Sequence, residues 1–179
     1  EAFQGCIDFA YKNGGGCIYV PSGTYLCGAL QLKDNVTIYG FDRATTTITL
    51  KGGIPSNKAL LYGTTKNNSI LNLTFNGNSD IQVNNVDLFK ADCTDLKLHN
   101  VNFVDGYNMV NLTLHGVNQI SEIIFGDSVV DCLKLDGDGV VTINNIYIDC
   151  LSELKGRYAI NFAMSNSTID NAIINTGST

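Results

Sequence analysis

Ile70-Leu71-Asn72-Leu73-Thr74-Phe75 decides how this chain is read, because its pattern returns along the sequence. The pattern is apolar, any, Asn, apolar, any, large apolar. It recurs at Leu98-His99-Asn100-Val101-Asn102-Phe103, Ile120-Ser121-Glu122-Ile123-Ile124-Phe125, Ile143-Asn144-Asn145-Ile146-Tyr147-Ile148 and Ile169-Asp170-Asn171-Ala172-Ile173-Ile174. The steps between copies are 28, 22, 23 and 26 residues. A second set of apolar runs, centred on Leu61, Leu88, Val110, Leu133 and Ile160, steps by 27, 22, 23 and 27. Two registers that change in parallel point to one stacked unit.

The runs are short, rich in β-branched and aromatic residues, and separated by Gly, Asn, Asp and Ser, which reads as strands. Strands at this period with no helix between them require a coil that returns to its starting edge once per repeat, a parallel β-helix. The Asn of each copy interrupts the alternation, so two inward-pointing runs meet at a bend. Asn tolerates a left-handed backbone, and its amide can bond to the same Asn one rung away. Asn72, Asn100, Asn145 and Asn171 are therefore expected to form a ladder. Glu122 stands in their place in the middle copy, through either a different turn or a slip of register. A β-sandwich also has many short strands but no reason to repeat an Asn at a fixed offset. Leucine-rich repeats need an L-x-x-L-x-L spacing and a helical half, both absent.

Upstream, Phe3, Cys6, Ile7, Ala10 and Tyr11 fall on one face of a helix that ends at Asn13-Gly14-Gly15-Gly16. The segment from Ala2 to Gly40, "AFQGCIDFAYKNGGGCIYVPSGTYLCGALQLKDNVTIYG", resembles the opening segment of the pectate-lyase-like superfamily. The shared features are a short amphipathic helix, Gly-Gly-Gly, a V-Y-x-P-x-G-T-Y stretch, a strand and L-x-L-K-x-x-V-x-I-x-G. The resemblance implies an all-β, right-handed, single-stranded parallel β-helix with an N-terminal capping helix. Residues 1–13 would be the cap and 14–179 the rungs of one domain. The last residues, "NTGST", follow a repeat directly, so the expected molecule is part of a longer chain. As a nucleotide loop the glycine-rich stretch fails, because it precedes a strand rather than a helix.

The formal charge is −6, from 11 Lys+Arg against 17 Asp+Glu, with no basic run, which argues against nucleic acid as a partner. No apolar stretch approaches the roughly 20 residues of a spanning helix, so membrane insertion is not expected. The first residues, "EAFQGCIDFA", lack the parts of a secretion signal. Six cysteines, at positions 6, 17, 27, 93, 132 and 150, sit in apolar patterns without zinc spacing and read as buried free thiols ahead of a disulfide framework.

Glycosidic hydrolysis needs two carboxyl groups about 5 to 9.5 Å apart. The densest acidic patch is "FGDSVVDCLKLDGDG", with Asp127, Asp131, Asp136 and Asp138, while Asp105 and Asp149 lie 22 residues to either side of Asp127. Asp127 and Asp131 flank a bend and are the first candidates for acid and base or nucleophile, with Asp136 beside them; ordinary turn chemistry explains the same residues. The polygalacturonase signatures of the resembled superfamily are missing. Its pectate lyases use Ca²⁺, for which "DGDG" is a weak signal, so no metal ligand is assigned. His99 and His115 read as solvated turn residues. Tyr107, Tyr147 and Tyr158 are candidate sugar platforms, with Arg157 near the acidic patch.

The superfamily includes polysaccharide lyases, hydrolases and many phage tail spikes, the last commonly trimers. The leading expectation is a homotrimeric phage tail spike or appendage on the virion tail, recognising a host surface polysaccharide with or without degrading it. The alternatives are a secreted microbial polysaccharide lyase or glycoside hydrolase acting on pectin-like glycans, and a structural shaft.

Overall fold

The isoleucines Ile18, Ile38, Ile70, Ile120 and Ile143, with Leu98 among them, face inward in register from one strand to the next. They do so because alternate side chains of a strand share a face and parallel strands stack like on like. The computed structural model describes residues 2–55, 58–82, 85–126, 131–150 and 159–176. A helix α1 (Ala2–Lys12) precedes β1 (Gly16–Val20), β2 (Gly23–Cys27), β3 (Leu30–Gln31), β4 (Val36–Gly40), β5 (Thr46–Leu50), β6 (Ala59–Lys66) and β7 (Ser69–Asn76). The chain continues with β8 (Asp87–Thr94), β9 (Lys97–Val104), β10 (Val110–His115), β11 (Val117–Phe125), β12 (Leu133–Asp136), β13 (Val140–Cys150), β14 (Ile160–Ala163) and β15 (Thr168–Thr176).

These strands form two parallel sheets. One has the order β1-β4-β7-β9-β11-β13-β15, with β2 and β5 joined to its bent half, and the other runs β14-β12-β10-β8-β6-β3. The chain is a right-handed parallel β-helix whose single core runs between the sheets. Phe75, Phe103 and Phe125 occupy one column of that core, with ring centroids 5.5 and 5.6 Å apart and planes within 20°.

The bend in the long strands is a left-handed residue. Asn72, Asn100, Asn145 and Asn171 hold φ of 57°, 56°, 56° and 57°. Asn100 Nδ2 donates to Asn72 Oδ1 at 2.9 Å, and Asn171 Nδ2 to Asn145 Oδ1 at 2.5 Å. Glu122 has φ 56° and makes the same turn, so neither a different turn nor a slip is needed there. Its carboxylate accepts from Asn145 Nδ2 at 2.6 Å but has no proton to donate to Asn100, so the side-chain bonding runs in two stretches, Asn72–Asn100 and Glu122–Asn145–Asn171.

A second left-handed corner follows the other sheet, at Asn35, Asn67, Asp95, Gly116 and Asn166. Beside it lie two buried asparagines that strand periodicity does not reveal. Asn68 donates to the carbonyls of Lys33 and Val36, and Asn118 accepts from Leu96 N–H and donates to His115 O, satisfying backbone groups that the corner would otherwise bury unpaired.

Three sequence readings need correction. Val110 pairs with Phe89 rather than Leu88, because both Leu88 and Phe89 are buried where the strand begins and periodicity alone cannot choose between them. The helix buries Ile7 and Ala10, while Cys6 and Tyr11 are exposed. Its contact stripe is narrow because it lies against the end of the coil, where Gln4 bonds the backbone N–H and C=O of Gln31 on the edge strand β3. Cys6, Cys17, Cys27 and Cys93 are free thiols; Cys93 and Cys132 are buried, but Cys6 and Cys17 are exposed. Burial pushes the Cys93 thiol up to about 12, with nearby Asp92 adding to the shift, so it packs as an inert hydrophobe. No helix among the described residues is long and apolar enough to cross a membrane.

Removing the middle ring of the aromatic column should leave a cavity, so Phe103→Ala is expected to lower unfolding free energy by about 3–5 kcal/mol in denaturant titration. Asn100→Ala should cost about 1–3 kcal/mol through lost hydrogen bonding and left-handed strain, and Asn100→Gly should recover the strain part.

Candidate functional site

The six-stranded sheet carries short strands whose inward residues are apolar and whose outward residues sort into columns of distinct chemistry. Register places Tyr62, Lys90, Asn111, Lys134 and Asn161 in one column. The next holds Thr64, Asp92, Thr113, Asp136 and Ala163. Lys66, Thr94 and His115 form the third. Two lysines thus flank an amide on one line, and two carboxylates flank a hydroxyl on its neighbour. Backbones of Asp92 and Asp136 are two rungs apart, about 9.6 Å at the usual strand spacing.

His115 joins these columns. As the last residue of β10 it projects outward and its imidazole sits between two carboxylates: Nε2 lies 3.4 Å from Asp92 Oδ1, and Nδ1 hydrogen-bonds Asp138 Oδ1. The hydrogen bond to Asp138 raises the His115 pKa above its ordinary value, aided by the charges of Asp138 and Asp92 and opposed by partial desolvation. The same hydrogen bond, with the imidazolium charge, holds Asp138 below the usual carboxylate range. The arrangement therefore favours a charged imidazole with its proton held at the surface, where it can be delivered to a ligand.

Of the residues selected from sequence, Asp136 and Asp138 come to this face. Asp131 lies in the turn before β12, where its carbonyl accepts Met109 N–H at 3.0 Å. Tyr107 is half-buried in the turn before β10. Tyr147 points outward from β13, on the other sheet. Asp127, Arg157 and Tyr158 lie outside the described residues. Neither histidine is a turn residue: His99 stands within β9, with Nδ1 2.9 Å from Ser121 Oγ, and His115 ends a strand. The signal for His115 was present in the repeat, since the step of 23 from Val110 to Leu133 also carries His115 onto Asp138.

Across residues 1–179 the chain matches the family described as rhamnogalacturonase A/epimerase, pectate lyase-like. The chain belongs to this family. Among curated proteins, alginate lyase 7 of Azotobacter vinelandii is 35% identical over 102 residues, covering 50% of this chain and 12% of the lyase. Mannuronan C5-epimerase AlgE3 of the same organism is 36% identical over 99 residues, covering 48% of this chain and 5% of the epimerase. Among solved structures, the A-module of the Azotobacter vinelandii mannuronan C-5 epimerase AlgE6 aligns with a TM-score of 0.84 at 19% identity, covering 98% of this chain and 51% of the module. A protein described as a glycosyl hydrolase from Parabacteroides merdae gives 0.78 at 19%, covering 96% and 88%. The two structures bear on the fold; this chain spans only a small part of the curated relatives it matches.

For a pectate-lyase-like protein the Ca²⁺ question follows from the donors. Asp92 and Asp138 are both engaged by His115, and among the described residues no cluster of three or more His, Cys, Asp or Glu is arranged to hold a metal. These residues do not fit a Ca²⁺ site.

In proton NMR the His115 imidazole should titrate above the ordinary histidine value, and Asp138→Asn should bring its midpoint down. The stability gained from the raised histidine is present below its unfolded pKa and lost as pH rises through the folded one. The part gained from Asp138 is present above the ordinary carboxylate pKa and lost as pH falls through its folded value.

Proposed function

We propose that this chain is the polysaccharide-acting β-helix of a lyase- or epimerase-type enzyme whose substrate is an acidic glycan. The observation that carries the reading is His115 between Asp92 and Asp138, beside the Lys90–Asn111–Lys134 column on an outward sheet face. The alginate lyase and mannuronan epimerase relatives support it, and they favour the polysaccharide-enzyme alternative over a trimeric tail spike on a virion.

The chemistry follows from the columns. Lys134, and Lys90 once drawn away from Asp87 at 3.9 Å, neutralise a sugar carboxylate and so acidify the C–H bond next to it. Asp136, one column away, accepts that proton, and the electron pair spreads into the carboxylate that the lysines hold. If the proton of His115 then goes to the bridging oxygen, the C–O bond breaks and a double bond forms, a lyase reaction. If it goes to the same carbon from the opposite face, the carbon inverts, an epimerase reaction. Asp92 and Asp136, on one outward column two rungs apart, support a second reading, hydrolysis with the two carboxyls as acid and base.

Incubating the full-length protein with alginate and with polygalacturonate separates these. New reducing ends with ultraviolet absorbance mark a lyase, inversion without chain cleavage an epimerase, and reducing ends without absorbance a hydrolase. His115→Ala is expected to lower turnover by about 10²–10⁴-fold. Glycan binding without any product would overturn the enzyme reading.

A further inference from the structure

The other sheet carries a small groove along the left-handed bend, away from the His115 face. It has a volume of about 160 Å³, and Arg43, Glu122, Asn145, Tyr147, Asn171 and Ile173 line it. Arg43 comes from the loop between β4 and β5, where its carbonyl accepts Thr74 Oγ1 at 2.8 Å. Its side chain runs along the coil and Nη1 donates to the carbonyl of Glu122 at 3.1 Å. In register, the rung of Asn102 lies between Thr74 and Ile124, so the guanidinium reaches over a neighbouring rung to the bend.

No carboxylate pairs with Arg43 among the described residues. A guanidinium has five N–H donors in a planar fork, and one is used on Glu122 O. The Glu122 carboxylate accepts from Asn145 and keeps further acceptor sites toward the groove. Tyr147 is 36% exposed and Ile173 54% exposed, so an aromatic ring and an aliphatic side chain lie open beside these polar groups. One positive and one negative side chain leave the groove without a net field, so it suits a ligand held by hydroxyls and an apolar ring face rather than by charge. A pyranose has that combination, with C–H bonds on one face and hydroxyls around its rim, and the rung spacing of about 4.8 Å is comparable to the length of one sugar unit.

We infer that the Arg43–Tyr147 groove is a secondary glycan-binding site that takes one sugar unit of the polymer. Tyr147 stacks on its face, Arg43 donates to adjacent hydroxyls, and Glu122 with the outer Asn171 amide completes the rim. The inference rests on the polysaccharide reading above but uses none of the His115 face. The site lets the coil hold the polymer at a point remote from turnover.

The side-chain Nε–H signal of Arg43 in a ¹⁵N spectrum is assigned by its loss in Arg43→Ala. Short alginate oligosaccharides and, in parallel, short neutral glucan oligosaccharides are titrated into the full-length protein. The Arg43 signal should shift with at least one of them, and added salt should leave that shift nearly unchanged, whereas binding at the lysine column should weaken. Arg43→Ala and Tyr147→Ala should each weaken this binding by about tenfold, equivalent to about 1.4 kcal/mol. Tyr147→Phe should retain most of it, and Lys90→Ala should leave the Arg43 shift intact. Shifts around His115 without any at Arg43 overturn this inference and leave the proposed function standing. No shift at either face overturns both.

Discussion

A coil without helices must turn each long strand sharply while keeping both of its halves facing the core. One residue at left-handed φ accomplishes this, and it does so at a conformational cost that only Gly, Asn and Asp bear lightly. The structure repeats the solution at Asn72, Asn100, Asn145 and Asn171 and tolerates it at Glu122. Hydrogen bonds between neighbouring side chains then tie Asn72 to Asn100, and Glu122 to Asn145 and on to Asn171. Because the bend recurs at the same place in each long strand from β7 to β15, side chains before and after it stay in register. The isoleucine and phenylalanine columns of the core depend on that register.

The same register sorts the surface. On the six-stranded sheet each outward position becomes a line of residues along the coil, and chemistry scattered through the sequence is gathered into adjacent lines. Lys90 and Lys134 come from strands far apart in the chain, yet they stand on either side of Asn111. His115 gains two carboxylate neighbours because Asp92 precedes it by one strand and Asp138 follows by one turn. A line with two lysines, one of them 3.9 Å from Asp87, thereby stands next to the imidazole and its carboxylates. The bend face is different in kind, since Arg43 and Glu122 offset one another and the exposed ring of Tyr147 contributes contact area.

Much of this was legible in residue order. The period, the bend asparagines and the capping helix came from patterns that a stacked fold enforces on every copy. Misreadings occurred where two residues satisfied the same local rule. Leu88 and Phe89 are both apolar and both buried, so hydropathy could not choose the strand register. Asn68 and Asn118 look like surface turn residues but are buried, because their amides satisfy corner backbone groups. Gly116 after it makes His115 look like a turn residue, whereas the strand continues through His115 and turns only afterwards.

Residue order therefore determined the β-helix, since a repeated hydrophobic template and a repeated left-handed residue leave few other ways to bury each copy. It also determined the supply of acidic, basic and aromatic groups. Which of these groups meet was decided by the tertiary structure. Side chains on neighbouring rungs are about 4.8 Å apart in space but more than 20 residues apart in sequence. A shift of one residue in register turns an outward group inward. Asp92, His115 and Asp138 form a site, and Arg43 reaches Glu122, only once the rungs have stacked.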